Sequence, residues 1–124
     1  MKNEFRLNKK DMIALNSKLE KLYKIDKKEA SKSIRLFALK SEGDIVRDAP
    51  VDTGNLRSQV HIKINKKEAL VESIALGEDN FDYAVVQEFG SRFRKPKPYF
   101  YPNIYRNLKL LTNRINRKIK ESLK

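Results

Sequence analysis

The chain has 124 residues, 40% hydrophobic and 35% charged, the balance of one soluble globular domain spanning 1–124 rather than of two. No apolar run approaches bilayer length and no apolar block follows Met1-Lys2-Asn3, so no membrane span or signal peptide is expected and the chain should stay in the cytoplasm. The lack of cysteine excludes disulfides, thiolate nucleophiles and zinc-thiolate sites, and the formal charge of +12 points to polyanions or an acidic protein surface as partners.

From Asn8 to Tyr23, Met12, Leu15, Leu19 and Leu22 recur at intervals of three and four, one narrow apolar stripe of a surface helix. A second helix is predicted from Asp26, its cap, to Asp48. Ile34, Phe37, Ala38, Ser41 and Ile45 share its inner side, and Lys32, Arg35, Lys40, Glu42 and Asp44 fall largely elsewhere. Pro50 disfavours helical geometry at Ala49, and Gly54 supplies the freedom for a tight reversal. Asp52 or Thr53 can accept a hydrogen bond from a backbone amide freed by that turn, and Leu56 is the first residue returned to the core. Arg57 would reach a nearby acid, with Glu88 the candidate.

Beyond the corner the period becomes two. Val60, Ile62 and Ile64 alternate with His61, Lys63 and Asn65 as a strand, "NKKE" makes a polar turn, and Ala69 to Gly77 reads as the returning strand of a hairpin. In that second strand Leu70, Ile74 and Leu76 share a face with Glu72. After the acidic loop "EDNFD", the segment Tyr83 to Gly90 is apolar and short enough to be strand or helix. Pro96 and Pro98 stiffen Ser91 to Phe100 into extended geometry. Pro102 suits the start of a last helix carried by Ile104, Leu108, Leu111, Ile115 and Ile119. The fold class is α+β: two N-terminal helices, a small, mostly antiparallel sheet, and a long C-terminal helix packed on one face.

Little in this frame suggests catalysis. His61 sits on the polar face of a strand with no nucleophile tied to it, and Asp44, Asp48 and Asp52, spaced by fours, read as a solvated face beside Lys40 and Arg47 rather than as paired acids. "EDNFD" lacks the glycine spacing and terminal glutamate of a calcium loop. No catalytic residue, cofactor site or metal site is expected, and the protein is read as a non-enzyme. Arg92, Arg94, Lys95 and Lys97 in the proline-bearing loop are candidate partner or DNA contacts. So are Arg114, Arg117, Lys118 and Lys120 in the last helix, whose final twenty residues hold a single acid, Glu121. A nucleic-acid-binding alternative would lay these cations along phosphates and stack Tyr99, Phe100 or Tyr101 on bases.

Three stretches in order, "APVDTGNLRSQV", "DYAVVQEFGS" and "KPYFYPNIY", resemble the tail-completion, or head-tail joining, family of long-tailed double-stranded DNA bacteriophages. Pro50, Asp52, Thr53, Gly54, Leu56 and Arg57 match the first family motif. Tyr83, Ala84, Glu88, Phe89 and Gly90 match the second, and Pro98, Phe100 and Pro102 the third. The Ser91 to Lys97 loop is more basic than the family pattern, and Gln59 stands where a small residue is common. The resemblance implies a structural role in virion assembly: copies joining or finishing the neck between head and tail as a ring, with other neck and tail proteins as partners. It implies a homo-oligomer in the virion that can be a monomer when free, non-specific contact with packaged DNA, no membrane contact, and a location in the virion and, during assembly, the host cytoplasm. The corner at Pro50 to Arg57 is then a hinge of architecture rather than a catalytic loop.

Overall fold

Asp26 decides where the long charged helix of the N-terminal half begins. It takes an extended conformation (φ −146°, ψ 94°), and its Oδ1 accepts the Glu29 N–H at 3.1 Å, the cap expected from the sequence. The computed structural model describes residues 2–7, 13–49, 59–65, 68–75, 82–93 and 95–123. Within them, α1 covers Ile13–Ile25 and α2 covers Lys27–Asp48. Leu15, Leu19 and Leu22 of α1 are buried while Ser17, Glu20, Lys21 and Lys24 face outward, so the narrow stripe does produce a surface-lying helix. Met12 lies outside the described residues. Helix α2 buries Ile34, Phe37, Ala38, Ser41 and Ile45, and Ala49 leaves the helix at φ −64°, ψ 137°, the geometry a following proline favours.

The sheet holds three strands in the order β1-β3-β2, with β1 at Asn3–Leu7, β2 at Val60–Ile64 and β3 at Ala69–Ser73. Both pairings are antiparallel: Ile64 faces Ala69 across the hairpin, and Leu7 faces Ala69 across the other edge of β3. Asn65 closes the hairpin turn, its N–H donating to the Glu68 carbonyl at 3.0 Å and its Oδ1 accepting the Glu68 N–H at 2.8 Å. The sequence pattern predicts no element before Asn8, whereas Asn3–Leu7 forms β1. A five-residue strand with only Phe5 and Leu7 as apolar alternates is too short to stand out by period, and only its pairing with β3 makes it a strand. In β3 the buried face is Ala69, Val71 and Ser73, which resolves the ambiguous alternation: the bulkier Leu70 and Glu72 are the half-buried side.

The segment left open between strand and helix is helical. α3 spans Tyr83–Phe89, started by Asp82, whose Oδ1 accepts the N–H of Ala84 at 3.0 Å and that of Ala75 at 3.1 Å. One carboxylate thus caps α3 and ties it to the chain leaving β3. The last helix, α4, spans Tyr101–Ser122 with Pro102 in its first turn, and buries Ile104, Leu111 and Ile115 while Leu108 and Ile119 pack at the core margin. α2 covers β2 and β3, and α4 lies against α2 and α1 on the outer side of that layer. Phe5 of β1 meets Phe37 of α2 edge-on, with centroids 5.8 Å apart.

A polar seam runs down the α2–α4 contact. Arg114 donates to Glu29 Oε1 at 2.6 Å and to Ser33 Oγ at 3.1 Å. Asn107 donates to Ser41 Oγ and Asp44 Oδ2 at 3.2 and 3.1 Å, and Asn103 to Asp48 Oδ2 at 2.9 Å. The pairs fall in opposite numerical order along the two helices, which therefore run antiparallel. Burial of each of the many large aliphatic side chains of the core contributes about 1.5–3 kcal/mol, and each of the few seam hydrogen bonds to a charged group contributes about as much. The apolar core therefore supplies most of the stability, and the seam selects the register in which α4 lies on α2.

The seam corrects the reading of Asp44 as a solvated residue: it is only 7% exposed. Its fall in the sequence next to Lys40 and Arg47 is compatible with either position, and Asn107, distant in sequence, decides it. Burial pushes its carboxyl up, but hydrogen bonds from Asn107 and Lys40 and the charges of Lys40 and Arg47 outweigh that and hold it below the usual range. Asp44→Ala removes the acceptor of a buried amide, and a destabilisation of about 1–3 kcal/mol is expected. The exposed Arg35→Ala should stay within about 0.5 kcal/mol, as urea melts of the two will check. Asp48 is held near its anion by the Arg47 hydrogen bond and then by that from Asn103, its carboxyl lowered from 3.8 to about 2. Since the folded value is the lower one, Asp48 contributes stability above about pH 3.8 that is lost as the pH falls through about 2. Melting temperatures across that window should fall less steeply for Asp48→Asn than for the parent chain.

Candidate functional site

Among the described residues, hydrogen bonds converge on the passage from α3 to α4. Helix α4 starts without a cap of its own, because the residue at its N-cap position is Phe100, whose side chain makes no capping hydrogen bond. Its first amides would be left as orphan donors in a buried setting. Glu88, in the last turn of α3 and only 3% exposed, supplies the acceptors. Its Oε1 takes the N–H of Tyr99 and of Phe100, each at 2.8 Å, and its Oε2 takes that of Tyr101 at 3.0 Å. Pro102 follows with no N–H to satisfy. A carboxylate at this position also meets the positive end of the α4 dipole.

The neighbouring residue makes the second clamp. Gln87 Nε2 donates to the Lys97 carbonyl at 3.1 Å, and the Lys97 N–H donates to the Gln87 carbonyl at 2.9 Å. Between the clamps the chain must leave α3 sharply, and Gly90 does so at φ 77°, ψ −178°, a conformation essentially confined to glycine. The second and third sequence motifs are therefore one device: "QEFG" grips "KPYFYP".

Tyrosines carry this grip to the sheet. Tyr99, 2% exposed, shares a 2.6 Å hydrogen bond with Ser73 Oγ of β3 and receives one at 3.4 Å from Asn3 Nδ2 of β1. Asn3 also donates to the Ala84 carbonyl of α3 at 2.8 Å. Burial pushes the Tyr99 phenol up, and Tyr101, donating to the carbonyls of Lys2 and Glu4, is pushed up for the same leading reason. Outside, Phe89, Tyr101 and Tyr105 form a row, with centroids 5.7 and 6.0 Å apart along it, and Phe89 and Tyr105 are 47% and 63% exposed.

The clamped ends display the basic loop. Arg92, Lys95 and Lys97 are exposed, and Phe93 stands 90% exposed with the Arg92 guanidinium 5.5 Å from its ring centre. Arg94 lies outside the described residues. Pro98 is exposed in the extended approach to α4, and Tyr83 is 48% exposed at the start of α3. On α4, Arg117 and Lys118 lie 3.9 and 3.6 Å from Glu121, and Lys120 is exposed. Arg114 differs from these, being bound to Glu29 and Ser33 in the seam. The corner residues Pro50, Asp52, Thr53, Gly54, Leu56 and Arg57 all lie outside the described residues.

Burial of Tyr99 and of Phe100, the latter 0% exposed, removes both from any base-stacking role, which corrects that part of the nucleic-acid alternative. The sequence offers Glu88 as a partner for Arg57, which lies outside the described residues, and gives no sign of the hydrogen bonds that Glu88 takes from backbone amides. It also gives no sign of Tyr99 and Asn3 as the tie to the sheet. His61 is exposed on β2 with Gln59 Oε1 at 3.4 Å. Among the described residues no group of three or more His, Asp or Glu gathers at metal-binding distance, and no helix is long and apolar enough to cross a membrane.

The chain is a small α+β scaffold that holds a basic, aromatic-tipped loop between two clamped ends. A family model described as "Bacteriophage HK97-gp10, putative tail-component" matches residues 13–90, and the chain belongs to that family of phage structural proteins. The match takes in the corner and the whole of α3 and stops before the third motif. No curated protein and no solved structure matches the chain.

Glu88→Gln replaces one acceptor oxygen with a donor that opposes a backbone N–H and removes the charge at the α4 terminus. A loss of about 1.5–3 kcal/mol is expected, the range for hydrogen bonds to a charged group. Gly90→Ala should cost about 1–3 kcal/mol through backbone strain alone. Denaturant melts give both values, and amide exchange at Tyr99–Tyr101 should accelerate in Glu88→Gln beyond the change at β3; equal acceleration everywhere would contradict the local clamp.

Proposed function

We propose that this protein is a ring-forming subunit at the neck of a long-tailed phage or prophage particle, completing the tail end or joining it to the head. The family match over residues 13–90 carries this reading, and the build of the loop supports it. A subunit that must repeat around a ring needs a contact surface held in one relation to its core, because small angular errors accumulate before closure. The Gln87 and Glu88 clamps provide that relation for Ser91–Lys97. Phe93 gives the loop a large apolar tip, and Arg92, Arg94, Lys95 and Lys97 give it charge for an acidic partner or for passing DNA. The protein works in the virion, assembles there from the host cytoplasm as a monomer that its partners order, and contacts other neck and tail proteins. The corner from Pro50 to Arg57 serves as the hinge that fixes the hairpin against α2.

Deletion of the gene from an inducible phage should leave filled heads and separate tails in electron micrographs. A variant with Arg92, Arg94, Lys95 and Lys97 all changed to serine should melt like the parent, since the described members of the set are solvated, yet fail to complement the deletion. Joined, infectious particles in the deletion would sink the assembly reading. Wild-type titre from the loop variant would remove only the loop from it.

A further inference from the structure

A cleft of about 500 Å³ lies along the α2–α4 contact, and no residue of the basic loop is among those that line it. Phe37 and Leu111, each 4% exposed, belong to its lining and to the core, while Leu36 and Leu110 line it at 41% and 48% exposure. Its charged lining is Lys40, Arg114 and Arg117, with no carboxylate among the lining residues. Leu36 and Lys40 sit one turn apart on α2, and Leu110, Arg114 and Arg117 follow at helical spacing on α4, so apolar floor and cationic rim run side by side along two antiparallel helices. Neither the core nor the clamps need Leu36 and Leu110 exposed there, and two leucines facing solvent in a shared cleft fit the floor of an interaction groove.

We propose that this cleft seats an acidic amphipathic helix of another virion protein. The proposal rests on the assembly reading and names a second surface for it. Charge chooses the occupant: a second copy would bring another chain of net charge +12 to a cleft whose charged lining is all cationic, whereas a helix with leucine-like anchors on one face and carboxylates flanking them answers the floor and the exposed Arg117. The volume falls within the range of about 300–1,000 Å³ typical of clefts that bury a compact ligand. Within the rim Arg114 is already bound by Glu29 and Ser33, and Lys40 by Asp44, so both are fixed in place with their charge largely answered inside the fold. Arg117, 61% exposed and 3.9 Å from Glu121, is the rim cation least engaged by its neighbour.

The test uses the full chain and a fluorescein-labelled helical peptide with leucines at i, i+3, i+4 and i+7 and glutamates at the flanking positions, against the same peptide with lysines in place of glutamates. Fluorescence anisotropy should show the glutamate peptide binding at least about tenfold tighter than the lysine peptide. Leu36→Asp with Leu110→Asp should weaken that binding about tenfold or more, and Lys40→Gln with Arg117→Glu, which spares the apolar floor, should erase most of the preference for glutamate. Equal affinity for the two peptides, or undiminished binding by both double variants, overturns the proposal. A concentration-dependent dimer in sedimentation that the leucine variant abolishes also overturns it, by making a second copy the occupant. In the phage, the leucine variant should fail to complement the deletion. Wild-type titre from that variant, with the deletion itself still giving unjoined heads and tails, would end the groove proposal and leave the assembly role standing.

Discussion

A buried carboxylate holding three successive backbone amides governs this molecule. Tyr99, Phe100 and Tyr101 open the C-terminal helix with no side-chain cap of their own, and Glu88 satisfies them from the end of a different helix. Leaving such donors buried and unpaired costs about 1–3 kcal/mol each, so the start of α4 and the end of α3 must be placed together. That requirement fixes the direction in which α4 departs. Its direction in turn sets which residues of α4 meet α2.

The other constraints radiate from this one. Tyr99 and Tyr101, adjacent to the gripped amides, reach β3 and β1, so the sheet is anchored to the same point. Further along α4, Asn103, Asn107 and Arg114 meet Asp48, Asp44 and Glu29, and each pairing is right only if the helix has set off at the angle Glu88 imposes. The apolar contacts beneath would tolerate a slip of α4 along α2 better than the polar seam does. A wrong register would strand Asp44 or Asn107 without a partner, which costs about 1–3 kcal/mol, and more for the charged group.

For a structural protein of a phage particle, this division of labour has a mechanical meaning. The loop between Gly90 and Lys97 is exposed and basic, but both of its ends are bolted to α3, so its tip can engage a neighbour without loss of orientation. The α2–α4 cleft is built from the same two helices whose register the seam sets.

Much of this was written locally. Asp26 as a cap, the apolar side of α2, the Asn65–Glu68 turn and the stripe of α4 were legible because each depends on residues within one or two turns of one another. The three motifs were legible as punctuation, and the family to which they pointed is the one to which the chain belongs. What they do to one another was not legible. Glu88 looks like any acid on an amphipathic segment until Tyr99 folds back across eleven positions to meet it, and Asp44 looks solvated until Asn107 arrives from sixty-three positions away. β1 was invisible for the same reason, since five residues with a weak alternation become a strand only where β3 offers them a ladder. Sequence alone determined the elements whose hydrogen bonds close within themselves; tertiary structure decided every group whose partner lies on another element, because burial and pairing there depend on a path of chain that local pattern does not encode.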